Sequence, residues 1–231
     1  MSQDKVIETF DQWVEDGRDA GLEKGHGDVV GQVIAKMAIG PGERILDLGC
    51  GTGWATRILA QTNAGVQAIG VDASPKMIAK ADELHSFTIR ARYDFGPFEA
   101  LDFKDGEFDR IFSMEALYYT SDVEKSLAEA LRVLKPGGQA EILMDFYEEN
   151  PSSAGWGEAL GLQLHRKSEA EWVATFEAAG FTNVTATRVI DSRGPGDEAS
   201  FEPGECTPTW ADRVAGHEAG TLWIHAEKPG A

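Results

Sequence analysis

The chain has 231 residues, of which 42% are hydrophobic and 9% aromatic, enough to close a core within the size range of one domain. No uninterrupted apolar stretch approaches the ~18–20 residues that cross a bilayer, and the acidic start of the chain lacks the basic flank and apolar core of an export signal. No membrane span is expected, and the cytoplasm is the default location. Acids outnumber bases 39 to 21, for a formal net charge of -18, a field that repels phosphate backbones and makes nucleic acid a poor substrate.

Residues 4–16 carry Val6, Phe10, Trp13 and Val14 at helical spacing, which predicts a short amphipathic helix. A glycine-rich stretch at 17–28 then gives way to a second helical stripe, Val29, Val30, Val33, Ile34 and Met37, closed by Gly40, Pro41 and Gly42. A strand at 44–48 leads through a glycine turn into a helix at 53–62. A second buried strand follows at 66–71, and Ser74-Pro75 caps the next helix, with proline at a permitted first-turn position. Residues 110–113 form the core of another strand, 122–133 are helical, Pro136-Gly137-Gly138 turns the chain, and 139–144 return as a strand. A linker-like stretch at 148–161 precedes a helix at 168–179. Two strands, 183–190 and 221–225, are joined by residues 191–220, longer than an ordinary loop and read as a cover, an interface or unassigned short structure.

Short apolar strands alternating with helices specify a mostly parallel α/β sheet covered on both faces, with ligand beyond the carboxyl ends of the strands where the topology reverses. The whole chain, 1–231, reads as a single domain: a cap segment at 1–28, a cofactor-binding core at 29–147, and an acceptor-side and C-terminal sheet region at 148–231.

The strongest motif is Ile45-Leu46-Asp47-Leu48-Gly49-Cys50-Gly51-Thr52-Gly53. Its glycines permit a sharp strand-to-helix turn and let a ligand lie against the backbone, while the following helix directs free amides at the ligand's polar end. The spacing is Gly-x-Gly-x-Gly, and Trp54 stands where the dinucleotide fingerprint has its last glycine, which favours a ligand without a pyrophosphate. Asp72, at the tip of the second strand, can accept two hydrogen bonds from a ribose diol or simply cap the next helix.

These residues resemble the class I methyltransferases dependent on S-adenosylmethionine, in particular the small-molecule branch of ubiquinone and menaquinone biosynthesis. Phe108-Asp109 and Val133-Leu134-Lys135-Pro136-Gly137-Gly138 are similar to later blocks of that family. The resemblance implies a Rossmann-like, mostly parallel seven-stranded sheet with an antiparallel final strand. It further implies that Gly49, Cys50, Gly51 and Gly53 line the methionine part of the cofactor, that Asp47 holds its amino group directly or through water, that Asp72 grips the ribose, and that Ala73 and Met77 lie near adenine. Glu99-Ala100-Leu101-Asp102-Phe103 departs from the family pattern in being preceded by Pro97 and Phe98 in place of the usual acid. Phe98 is therefore expected beside the base or in the core, with Asp94 or a backbone carbonyl serving the adenine amine. Met114 is expected near the transferable methyl and Glu115 near polar or charged groups, with one of Tyr118 and Tyr119 in the pocket.

On the acceptor side, Trp13 and His26 belong to the segment that covers the cofactor in related enzymes. Gly25 and Gly27 around His26 suggest an adaptable turn exposing an imidazole, either a proton acceptor or a surface residue. Tyr147, Trp156 and His165 follow the fifth strand and suit either an acceptor pocket or a cap anchor. The acceptor is expected to be a small molecule that attacks the methyl in line. No metal is expected, since the five histidines form no compact ligand motif and Cys50 and Cys206 are the only thiols. A nicotinamide-dependent oxidoreductase and a catalytically silent S-adenosylmethionine-binding protein are the alternatives.

Overall fold

The computed structural model describes residues 3–230; the outermost ends of the expected 1–231 domain, residues 1, 2 and 231, lie outside the described residues. Helix α1 (Gln3–Glu15) buries Val6 on its inner stripe, and a single 3-10 turn (Arg18–Gly21) leads into α2 (Leu22–Lys36), which buries Val29, Val30 and Val33. The glycine-rich stretch, expected to be a turn, is helix from Leu22 onward. A Cβ at Gly25 or Gly27 would meet nothing within 4 Å, so the glycines are tolerated rather than required, and burial of the apolar stripe outweighs their low propensity. The expected boundary at residue 28 consequently falls inside α2.

The core then alternates strand and helix: β1 (Arg44–Leu48), α3 (Trp54–Leu59), β2 (Gln67–Asp72), α4 (Pro75–Glu83), β3 (Ala91–Phe95), β4 (Phe108–Met114), α5 (Val123–Val133) and β5 (Leu134–Met144). Ser74 caps α4 as expected, its Oγ accepting from the Met77 amide at 3.1 Å, worth about 1 kcal/mol of helix stability. Strand β3 has no counterpart among the elements expected from the sequence. Pro136-Gly137-Gly138 is not a turn between elements but an irregularity inside β5: pairing with β4 jumps from Phe108↔Leu134 to Arg110↔Gln139.

Beyond β5 come a 3-10 turn (Pro151–Ser153), α6 (Trp156–Leu160), α7 (Glu169–Ala178), β6 (Thr182–Val189), α8 (Trp210–Ala219) and β7 (Thr221–Glu227). The 148–161 stretch is thus structured rather than a plain linker, and the long 191–220 connection contains α8. That helix opens with a capping box in which the Thr209 hydroxyl and the Asp212 carboxylate satisfy each other's backbone amides.

The strand order is β3-β2-β1-β4-β5-β7-β6, with β7 antiparallel to both of its neighbours and the other pairs parallel. Alternation along β1 sends Ile45 to one core, with Val30, Val33 and Leu59, and Leu46 to the other, with Phe108, Ile111 and Leu127. The chain runs outward from β1 through β2 to β3, then returns to β4 on the other side. The reversal between β1 and β4 opens the crevice that this topology reserves for ligand. Among the described residues no helix is long and apolar enough to cross a membrane.

Candidate active site

The β1–α3 turn passes through Gly49, Gly51 and Gly53, each at positive φ (75°, 52° and 74°). A Cβ on Gly49 would lie 2.1 Å from the Ala116 Cβ and 3.1 Å from the Phe98 ring, so only glycine admits this approach of the turn to the tip of β4. At Gly51 a Cβ would have only the Met77 sulfur nearby, at 3.9 Å, which leaves the backbone open to the cavity. Gly53 does not line the cavity; its missing Cβ instead makes room for the Tyr93 ring. The Cys50 sulfur packs over Gly70 beneath the turn, and burial pushes its thiol up, so Cys50 lines the site without a reactive thiolate.

Two carboxylates flank the turn. Asp72 accepts from the Gly51 amide at 2.9 Å through one oxygen and from the Ser74 amide at 2.8 Å through the other, leaving lone pairs on both for a diol. Burial raises its pKa, with the two amides opposing that effect. Asp47 is 1% exposed and accepts from the Thr56 hydroxyl at 2.6 Å, and burial pushes its carboxyl up to about 7. Among the described residues no cation pairs with Asp47. A buried carboxylate without a counter-ion at the end of a glycine cradle is the complement of an α-ammonium group, so the residues present fit the methionine end of S-adenosylmethionine. Ala73, Met77 and Phe98, the residues expected near adenine, line the same cavity. Asp94 lies off the cavity, with its carboxylate 3.8 Å from Arg92.

The cavity, of about 400 Å³, continues past Met114 toward the acceptor end. Glu115 sits there at φ 54°, a strained conformation for a non-glycine residue. It accepts from the Tyr118 hydroxyl at 2.5 Å and from the Asp145 amide, and burial holds its pKa well above the usual carboxylate range. Tyr118 and Tyr119 both line the cavity, rings 4.4 Å apart; Phe10 meets Tyr119 edge-on at 4.9 Å and Trp13 at 5.1 Å. Trp156 completes this aromatic wall.

His26 reaches the cavity from the helix α2, not from a turn, its Nδ1 lying 3.9 Å from an Asp145 oxygen. The other Asp145 oxygen accepts from Thr221 at 2.6 Å. Burial lowers the His26 pKa; Asp145 opposes that shift, and Arg213 and Arg193 add to it.

Two expected acceptor residues stand outside the cavity. Tyr147 is fully buried and places its hydroxyl 2.9 Å from both the Ala219 and Gly220 carbonyls, tying the segment that follows β5 to the end of α8. His165 has its Nε2 2.9 Å from the Thr120 carbonyl, and its amide donates to the Tyr118 carbonyl, bracing the segment behind the aromatic wall. Conversely, Asp145, Asp191, Arg213 and His217 line the acceptor end and were not anticipated. Asp145 directly follows the apolar run of β5, and the Thr209-x-x-Asp212 capping pattern announces α8; both signals are present in the sequence.

A glycine cradle and ribose acid at the carboxyl edge of this strand order define an S-adenosylmethionine-binding methyltransferase core. A methyltransferase domain family matches residues 46–142. An O-methyltransferase resE from Aspergillus sclerotiorum is 30% identical over 189 residues, covering 79% of this chain and 71% of its own length. A 2-methyl-6-phytyl-1,4-hydroquinone methyltransferase from Synechocystis is 34% identical over 163 residues, and the chain spans 50% of that relative's length. Among solved structures, the methyltransferase in complex with the Haloferax volcanii Trm112 methyltransferase activator superposes with a TM-score of 0.86 at 33% identity, covering 95% of this chain and 97% of that one. The chain belongs to the class I S-adenosylmethionine-dependent methyltransferases, and S-adenosylmethionine is its methyl donor. None of these relatives is a nicotinamide-dependent oxidoreductase, in agreement with Trp54 at the position where a dinucleotide site has glycine.

Proposed function

We propose that the whole chain acts as one methyltransferase unit on a small, planar, hydroxylated acceptor. The observation that carries this reading is that the donor cradle and the His26–Asp145 pair open into one cavity walled by Phe10, Trp13, Tyr119 and Trp156. A ring stacked on that wall presents its edge to Met114 and the donor. The quinone-ring acceptor named for the Synechocystis relative supports the finer placement among enzymes that methylate quinone-like rings. Two free cysteines suit a reducing compartment such as the cytoplasm, and a charge of -18 disfavours nucleic acid.

Bound S-adenosylmethionine supplies a methyl group on a positively charged sulfur. Asp47 would hold the ammonium and Asp72 the ribose, while the aromatic wall would fix the acceptor, so that much of the rate would come from alignment and exclusion of water. His26, kept neutral by burial, takes the acceptor hydroxyl's proton at Nε2 while Asp145 faces Nδ1–H. The bound donor would supply the methyl to that oxygen and keep the electron pair of the S–CH3 bond on its sulfur, while His26 holds the released proton. Titration with S-adenosylmethionine and S-adenosylhomocysteine, with NADH as control, followed by a labelled-methyl screen over hydroquinones and catechols, tests the reading. Saturable binding of the sulfur cofactors and label in a ring hydroxyl are expected; NADH binding in their place refutes it.

A protein partner is the second element of the proposal. The Haloferax relative was solved with an activator, and here β3 is an edge strand carrying Phe95, exposed by 63%, while Leu84 and Phe87, exposed by 47% and 100%, lie in the α4–β3 connection that leads into it. Such an edge accepts an added strand, and such a patch needs covering.

A further inference from the structure

Arg213, on α8, is the only lysine or arginine among the described residues that line the cavity. Its Nε donates to the Pro195 carbonyl at 2.9 Å, which fixes the plane of the guanidinium. Among the described residues nothing accepts from its two terminal nitrogens. The carboxylates at this end of the cavity are already engaged. Glu115 holds Tyr118 and the Asp145 amide, Asp145 holds Thr221, Asp191 is paired with Arg193, and Asp212 closes the capping box on Thr209. Arg213 is an exposed residue at the cavity wall, so in a chain of net charge -18 its two terminal nitrogens are open to an anion that enters the cavity.

Building on the donor and ring assignments above, we infer that the acceptor is a hydroxylated aromatic carboxylic acid whose carboxylate is bound by the terminal nitrogens of Arg213. The guanidinium fork matches a carboxylate bidentately, and the flanking aromatic wall accommodates the ring that carries it. Arg213 and His26 both line this cavity, and the charge of Arg213 is one of the causes that lower the His26 pKa. The carboxylate at Arg213 and the reacting hydroxyl at His26 are thus read by groups on two different helices, α8 and α2, that line one cavity, and Arg213 acts in substrate selection, not in proton transfer.

The test uses the full chain saturated with S-adenosylhomocysteine and titrated with 3,4-dihydroxybenzoate and, separately, with catechol, the same ring without the carboxylate, at one fixed salt concentration. The acid is expected to bind at least tenfold more tightly. Arg213→Met should erase that difference while binding S-adenosylhomocysteine as before, which also shows that the variant is folded. Arg193→Met, which loosens the same segment by removing its bonds to Asp191 and to the Lys24 and Gly25 carbonyls, should preserve the preference. Equal affinities, no binding of the acid, or a preference that survives Arg213→Met or vanishes equally in Arg193→Met would overturn the inference. Failure of the parent chain to bind S-adenosylhomocysteine would instead count against the donor assignment.

Discussion

Thr56 donates its hydroxyl hydrogen to Asp47 over 2.6 Å, a neutral partner for a carboxylate that is 1% exposed. The folded chain holds the Asp47 proton up to about 7, above the unfolded value of 3.8, so this group favours folding most at low pH and loses that contribution as pH rises between those values. An arriving ammonium reverses the preference and requires the ionised form. Donor binding is therefore expected to release a proton below pH 7 and to tighten with rising pH until about 7. Calorimetric titration in two buffers of different ionisation heat measures that proton directly; a buffer-independent heat at pH 6 sinks the assignment. Asp47→Asn should abolish the release and weaken donor binding about ten- to hundredfold, the worth of one hydrogen bond to a charged group.

The two glycines of the cradle separate stability from binding. Gly49→Ala places a Cβ 2.1 Å from that of Ala116 in a left-handed conformation, φ 75°. Strain and overpacking together predict a loss of about 2–4 kcal/mol in denaturant unfolding. Gly51→Ala, at φ 52° with its nearest neighbour 3.9 Å away, meets the strain but not the clash. It should cost about 1–2 kcal/mol and instead lose donor affinity, because its methyl points into the cavity. Similar stability losses in both variants would show that the cavity is not what Gly51 serves.

Both glycines were legible in the sequence because a sharp turn makes a local demand that only a few residue types meet. Asp47 and Asp72 were legible for the same reason, each fixed to the end of a strong apolar strand. Strand β3 was not: Ala91, Tyr93 and Phe95 alternate with Arg92 and Asp94 over just five residues, and it is pairing with β2 that makes them a strand. His26 stood out in the sequence for the wrong reason, since burial of Val29, Val30 and Val33 extends α2 through the glycines beside it. Tyr147 was indistinguishable by type from a pocket aromatic. Only the approach of α8, whose last residue lies 72 positions further along the chain, turns its hydroxyl into a structural clamp on Ala219 and Gly220.

His26 and Asp145 make a kinetic prediction. A neutral imidazole with a lowered pKa remains a proton acceptor to lower pH than a free histidine, so the acid limb of kcat/KM should fall below the ordinary value of 6.5. His26→Gln should remove that limb and lower kcat by about 10²–10⁴-fold for a hydroxyl acceptor. Asp145→Asn, which leaves its side-chain carbonyl available to Thr221 but removes the charge facing Nδ1, should move the limb to still lower pH and leave KM for the donor unchanged. An unaltered pH profile in both variants would assign the pair a packing role.

The edge of β3 carries the last prediction. Phe95 pairs in register with Asp72, and the Gly96 amide donates to the Asp72 carbonyl, so a strand docked on this edge would lie one strand away from the ribose acid. Ordering that edge orders the segment leading to Phe98 at the adenine end, which couples partner and donor binding; by linkage each must raise the other's affinity by the same factor. With the Haloferax volcanii Trm112 activator as probe, amides of residues 91–95 should become protected from hydrogen exchange, and donor affinity should rise on complex formation. Phe87→Asp and Phe95→Asp should each abolish docking without altering donor binding by the chain alone, whereas Ile190→Asp, at a 41% exposed apolar residue away from this edge, should leave docking intact. Protection elsewhere on the surface, or docking that survives both phenylalanine substitutions, would place the partner on a different face.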